Sequence, residues 1–151
     1  MATLQPADPA YDARVRASFE RQSMMKTLGA VLERVAPGAV DIRLSFRADL
    51  TQQHGFLHAG VTTTIADSAC GYAALSLMPP GAAVLTVEFK VNLMAPAAGE
   101  TFVARGRVLR AGRNLTTCSG DVFAVAGGEE KHVLTMLGTV MTVQGRSGLS
   151  D

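Results

Sequence analysis

Apolar and polar residues alternate along much of this chain with the spacing of β-strands. Between Val40 and Phe46 every second residue is apolar and polar residues fill the other positions, which predicts a half-buried strand. The apolar run 28–36 precedes it across Pro37 and Gly38, so the two runs predict a hairpin. Four more strand-like runs follow, separated by short turns, at residues 83–93, 101–110, 115–125 and 131–143.

Two stretches have the spacing or length of helices instead. Val15, Phe19 and Met25 recur at roughly helical spacing among charged residues, which predicts an amphipathic helix over 12–26. The stretch 58–77 is apolar nearly all round, which predicts a longer helix that is buried on most faces. Consecutive strands with tight turns form antiparallel sheets, so the element order predicts an α+β fold with the sheet wrapped around the long helix.

Length and composition favour a single globular domain. The chain has 151 residues, of which 48% are hydrophobic and 18% charged, and its net charge of +1 gives no nucleic-acid footprint. We expect the domain to span 12–144, between flexible segments at 1–11 and 145–151. No signal peptide is visible, and we expect no membrane span because Asp67 interrupts the most apolar stretch. We therefore expect a cytoplasmic protein with Cys70 and Cys118 as free thiols.

Asp67 is the only formally charged side chain between Gly55 and Val87. A buried carboxylate without a partner is costly, and aspartate is not needed inside a helix. Two interpretations are open. Asp67 either faces a solvent crevice or bonds Thr63 or Thr64, or it acts as a general base or nucleophile in an apolar cleft.

The start of the long helix is a second candidate for chemistry. Small residues follow His58, and the free N–H groups of a first helical turn can hold a developing oxyanion. Asp67 lies about two and a half turns further along, so it cannot reach a carbonyl held at the start of its own helix. A dimer that brings a second helix alongside would supply the missing group.

A set of positions around this helix start carries a resemblance to a known family. They are Gln52, Gly55, His58, Ala59, Gly60, Ile65, Ala66 and Asp67. In this spacing they resemble the signature of the hotdog-fold thioesterases, and the nearest branch is the PaaI-like acyl-CoA thioesterases of phenylacetate pathways. The likeness covers about residues 28–143 and includes the strand at 86–93.

The resemblance implies an acyl-CoA thioesterase that releases the free acid and coenzyme A without a metal or other cofactor. It implies a hotdog fold, here with an extra N-terminal helix. It also implies a homodimer with active sites at the interface, and dimers that pair into a tetramer. Asp67 from one subunit would be the base or nucleophile, and the Ala59 N–H of the other would polarise the thioester carbonyl.

The resemblance gives roles to further residues. His58 would shape the helix start, Gln52 would orient substrate or water, and Thr86 would assist the attacking water. The expected substrate-binding residues are Gly60, Lys90, Arg110, Arg113 and Asn114. The family usually has glycine at position 59, and alanine retains the backbone N–H on which the role depends.

Two other functions fit the same residues. A hotdog hydratase or dehydratase would use His58 as its base, and a non-catalytic acyl-CoA-binding module would use Asp67 only structurally. His54 and His58 have the spacing of a metal pair on a helix, but the predicted loop between them argues against a metal site.

Overall fold

The computed structural model describes residues 4–151 and confirms the predicted α+β fold. Its helices are α1 (Tyr11–Arg21), α2 (Ser23–Leu28) and α3 (Ala59–Leu75). Its strands are β1 (Val31–Ala36), β2 (Ala39–Ser45), β3 (Ala83–Leu93), β4 (Thr101–Ala111), β5 (Leu115–Ala126) and β6 (Glu129–Val143). In the part of the chain described, the strands form one antiparallel sheet in the order β1-β2-β4-β5-β6-β3.

The long helix α3 lies on the inner face of this sheet and contacts strands β2 to β6. Its core positions are small or aliphatic, and Ile65, Ala66, Ala69 and Ala73 are fully buried. The sheet covers one side of α3, and α1 also packs against it. Most residues of α3 are buried, as its all-round apolar sequence predicts.

Two glycines let α3 approach the sheet closely. Gly106 on β4 and Gly120 on β5 are directly paired across the two strands. A Cβ atom on Gly106 would lie 2.2 Å from the Ala69 carbonyl oxygen, and one on Gly120 would lie 2.8 Å from the Cys70 sulfur. The helix backbone therefore rests directly on β4 at Gly106, and at Gly120 the Cys70 side chain fills the space that a Cβ atom would take.

Both cysteines lie in this contact between helix and sheet. The Cys118 thiol, on β5, donates a hydrogen bond of 3.6 Å to the Cys70 carbonyl. Burial raises the pKa of both thiols, that of Cys118 to about 12. Both are therefore protonated packing groups.

The N-terminal helix differs from the prediction of one helix over 12–26. The backbone of Gln22 is extended, with φ −76° and ψ 101°, and separates α1 from α2. In one continuous helix Leu28 would point roughly 140° away from Val15, whereas both side chains are buried in the same core. The break turns Leu28 inward, and the first strand consequently begins at Val31 rather than at residue 28.

Arg14 joins α1 to the end of α3. Its guanidinium donates to the carbonyl oxygens of Leu75 at 2.9 Å, Met78 at 2.7 Å and Pro79 at 2.6 Å. Asp8 pairs with it at 3.3 Å. A cation at a helix C-terminus satisfies free carbonyls and complements the helix dipole, so Arg14 fixes where α1 crosses α3.

No helix within residues 4–151 is long and apolar enough to cross a membrane. The domain bounds of 12–144 and the flexibility of 1–11 and 145–151 stay predictions. Residues 1–3 lie outside the described part of the chain.

The glycine contact generates a stability prediction. Gly106→Ala is expected to lower the free energy of unfolding by about 3 kcal/mol, because the added methyl group overlaps the helix backbone. Gly71→Ala is the matched control, since a Cβ on this helical glycine has no neighbour within 4 Å. The control should be unchanged or up to about 1 kcal/mol more stable. Urea unfolding followed by circular dichroism measures both, and equal stability of the two variants would contradict the close contact.

Candidate active site

Asp67 faces a cavity bounded by α1, α3 and β3. The cavity has a volume of about 290 Å³, and the half-buried Asp67 carboxylate is part of its wall. The other residues that line it include Ser18, Arg21, Gln22, Tyr72, Thr86 and Asp151. Polar side chains thus predominate around the one carboxylate of α3.

Thr86 is the hydrogen-bond partner of Asp67. Its hydroxyl donates to Asp67 Oδ1 at 2.8 Å. The pairing of β3 with β6 shifts register between Thr86 and Glu88, and such a bulge changes the direction of neighbouring side chains. The expectation that Thr64 might bond Asp67 is wrong, because its hydroxyl donates to the Gly60 carbonyl at 2.7 Å, a bond within its own helix.

The pKa of Asp67 is raised above the ordinary aspartate value. Desolvation in the cavity wall is the main cause, and the hydrogen bond from Thr86 lowers the pKa in part. A carboxylate with a raised pKa holds a proton more strongly once it has accepted one, which makes it a better general base than a solvated aspartate.

The start of α3 leaves one backbone donor free. His58 is the N-cap residue, and its Nδ1 accepts a hydrogen bond of 2.8 Å from the Gly60 N–H. The His58 carbonyl accepts from Val61 at 2.9 Å and Thr62 at 3.4 Å. Of the first-turn donors, only the Ala59 N–H has no acceptor within residues 4–151. A free N–H at the positive end of a helix is suited to a developing oxyanion.

A second, mainly apolar cavity lies at this end of α3. Its volume is about 510 Å³, and its walls include Gln52, Ala59, Leu57, Leu93 and Val133. The Gln52 side-chain oxygen accepts a hydrogen bond from the His54 N–H.

The predicted site residues therefore form two groups that do not meet within one chain. Ala59 and Gln52 line the apolar cavity, while Asp67 and Thr86 line the polar one. Eight residues of helix, about 12 Å along the axis, separate Ala59 from Asp67.

The predicted coenzyme A contacts are all exposed. They are Lys90 on β3, Arg110 on β4, and Arg113 and Asn114 in the turn that follows. The Lys90 ammonium donates to Asn92 at 2.8 Å, and the Asn114 carbonyl accepts from the Thr142 N–H at 2.8 Å. None of the four lines either cavity in the described residues, so their role in binding stays a prediction.

Among residues 4–151 no three His, Cys, Asp or Glu side chains come together in a way that could hold a metal ion. His54 lies in the loop before α3 and its ring contacts the Gln53 amide at 3.4 Å, while His58 caps the helix.

Sequence reasoning missed several groups around Asp67. Ser18 sits between Val15 and Phe19 on the buried face of α1, and this lone polar position was the available signal. Arg21 follows Ser18 at helical spacing. Asp151, 84 positions beyond Asp67, could not be placed there from local pattern.

Comparisons with known proteins identify the family and the fold. A family model described as the thioesterase superfamily matches residues 54–131. Human acyl-coenzyme A thioesterase 13 is 30% identical over 117 residues, which cover 76% of this chain and 83% of the human protein. The crystal structure of a thioesterase family protein from Silicibacter pomeroyi is 51% identical, with a TM-score of 0.88, and covers 89% of this chain and 99% of its own. The E. coli PaaI protein shares the fold at 21% identity, with a TM-score of 0.82 and coverage of 92% and 97%.

The raised pKa of Asp67 predicts how stability depends on pH. The folded state holds the Asp67 proton to a higher pH than the unfolded state, so this group weakens folding as pH rises from the ordinary aspartate pKa through the folded pKa. Asp67→Asn should therefore gain stability relative to the unsubstituted protein across that range and keep the gain at neutral pH. Urea unfolding at a series of pH values measures the difference.

A carboxyl titration by NMR checks the same assignment. Thr86→Val should raise the Asp67 pKa further, because a hydrogen bond to the charged form is lost, and Thr86→Ser should leave it nearly unchanged. An Asp67 midpoint at or below the ordinary aspartate value would contradict the desolvation.

Proposed function

Since the chain belongs to the thioesterase superfamily and is a thioester hydrolase of the hotdog fold, we propose that its substrates are acyl-coenzyme A thioesters and that Asp67 drives their hydrolysis. The observation that carries the proposal is the desolvated Asp67 carboxylate in a cavity wall, hydrogen-bonded by Thr86. The similarity to human acyl-coenzyme A thioesterase 13 supports this class of substrate.

The proposed reaction uses two groups on the thioester carbonyl. Asp67 in its ionised form either removes a proton from the attacking water or attacks the carbonyl carbon itself. In the first route water adds to the carbon, the C–S bond breaks, and the thiolate of coenzyme A leaves and takes up the proton. In the second route the same thiolate leaves from a mixed anhydride with Asp67, and water then hydrolyses the anhydride to the acid and free Asp67. The Ala59 N–H donates to the carbonyl oxygen as negative charge develops on it. Thr86 holds one Asp67 oxygen, which leaves the other oxygen for water or substrate.

The two sheet edges differ in a way that supports a dimer through β3. β1 is six residues long and carries Glu33 and Arg34 on its exposed positions, and a short, charged strand protects an edge. β3 is eleven residues long and exposes Leu85, Val87 and Phe89. A long apolar edge of this kind pairs readily with a second copy of itself.

Such a dimer would complete the site. Each catalytic centre would take Asp67 and Thr86 from one subunit and Ala59 with Gln52 from the other. This arrangement accounts for the separation of Ala59 from Asp67 within one chain.

The contacts of His58 favour hydrolysis over hydration. Its Nδ1 accepts from the Gly60 N–H, so the proton of the neutral ring lies on Nε2 and neither nitrogen is free to act as a base. His58 in this state is a donor and a cap, whereas a hydratase would need it as the base.

The PaaI-like branch, the tetramer, the cytoplasmic location and the binding of coenzyme A by Lys90, Arg110, Arg113 and Asn114 stay predictions from the sequence.

Loss of the Asp67 carboxylate tests the proposed reaction. Release of coenzyme A thiol from short, medium, long and phenylacetyl thioesters should fall by about 100-fold or more in Asp67→Asn, because the base or nucleophile is lost. Asp12→Asn, an exposed carboxylate paired with Arg16, is the matched control and should keep full activity. Turnover that survives in Asp67→Asn would remove Asp67 from the mechanism. Thiol release from none of the esters would support a binding module, and hydration of an enoyl-CoA without thiol release would support a hydratase.

Mixed dimers of two inactive variants test the shared site. Ala59→Pro replaces the N–H by a ring carbon, and the start of α3 should be kept, because proline suits a first helical position and His58 already has the extended backbone, φ −62° and ψ 138°, that a following proline requires. Ala59→Pro and Asp67→Asn should each be inactive, while Ala59→Gly stays active. A one-to-one mixture refolded together should recover about a quarter of the original activity, since half of the dimers hold one intact site. No recovery, despite mixed dimers detected by mass spectrometry, would place both groups in one subunit.

A further inference from the structure

The Asp151 carboxylate occupies one end of the Asp67 cavity. Its Oδ1 accepts a hydrogen bond of 2.6 Å from the Ser18 hydroxyl and lies 3.6 Å from the Arg21 guanidinium. Its Oδ2 accepts from the Val84 N–H at 3.3 Å. Three groups therefore converge on one carboxylate: a hydroxyl and a cation from α1, and a backbone N–H from β3.

These donors form a recess suited to an anion. Ser18 is only 6% exposed, and Val84 lines the same cavity. Charge-assisted hydrogen bonds to a carboxylate are stronger than those between neutral groups. If an apolar group replaced the carboxylate, the buried Ser18 hydroxyl would lose its charged acceptor, which costs free energy.

The recess shares a continuous cavity with the Asp67 carboxylate. Ser18, Arg21, Val84 and Asp151 line the same 290 Å³ as Asp67 and Thr86. A short acyl group whose carbonyl lies against Asp67 can therefore extend toward Ser18 and Arg21 within the same cavity. The cavity volume suits a short acyl group better than a long chain.

We propose that this recess is a carboxylate subsite and that the enzyme prefers short acyl-CoA substrates whose far end carries a second carboxylate. The proposal rests on the thioesterase function given above. In the absence of substrate the Asp151 side chain occupies the subsite, and the substrate carboxylate replaces it. The exchange leaves the charge of the recess unchanged. The Arg21 cation offsets the repulsion between the substrate carboxylate and Asp67.

Turnover of matched substrates tests the proposal. Glutaryl-CoA and 5-methylhexanoyl-CoA have acyl groups with the same number of heavy atoms, and an isopropyl group takes the place of the carboxylate. We expect kcat/KM to favour glutaryl-CoA by about tenfold or more, with succinyl-CoA and adipoyl-CoA locating the best length, after subtraction of enzyme-free hydrolysis. Arg21→Gln should bring the ratio close to one, mainly through KM. Arg16→Gln, on the exposed face of the same helix, is the control and should keep the ratio.

Equilibrium binding separates this proposal from the proposed function. Thioether analogues of both ligands, in which a methylene group replaces the carbonyl, are titrated calorimetrically into the unsubstituted protein and Arg21→Gln. The carboxylated analogue should bind more tightly, and Asp151→Ala should strengthen its binding severalfold because the competing carboxylate is gone.

The possible failures are distinct. If uncharged thioesters are hydrolysed as well as the carboxylated ones at every length, the subsite is wrong and the thioesterase stands. If no thioester is hydrolysed, the proposed function fails, and the thioether titration still decides the subsite: preference for the carboxylated analogue upholds it, and equal or weaker binding overturns it.

Discussion

The direct contact of α3 with β4 and β5 is the constraint on which the rest of the molecule depends. Gly106 and Gly120 give up side-chain packing and strand propensity so that the helix backbone can lie on the sheet. With that face of α3 fixed, Asp67 is directed toward α1 and β3, where the sheet ends. The position of the carboxylate is therefore a consequence of backbone packing, and no local feature of residues 65–70 would be enough to set it.

Much of this architecture is readable from the sequence. Strict alternation and a Pro-Gly turn predict the first hairpin, and the all-round apolar character of α3 predicts its burial. Asp67 stands out because no other charge occurs near it. The break at Gln22 was not readable, because it arises from the need of both Val15 and Leu28 to reach one core.

The site was only partly predictable for a related reason. Thr86 meets Asp67 through a bulge in β3, and alternation alone cannot locate a bulge. Ser18 and Asp151 come together across 133 positions of sequence, so their contact depends on the completed fold. The helix start was accessible because the geometry of a first turn is local: once α3 begins at Ala59, its free N–H follows.

The contact between α3 and β5 also has a chemical consequence. The Cys70 sulfur lies so close to β5 that a Cβ atom on Gly120 would be 2.8 Å from it, so an oxygen atom added on that side would overlap the strand. In the folded protein both thiols are shielded and protonated, so oxidants reach them only when α3 lifts from the sheet. A sulfur oxidised during such an opening could not return to its place. Under oxidative stress the lifetime of the protein would then be set by the rate at which α3 separates from the sheet, and not by the equilibrium free energy of unfolding.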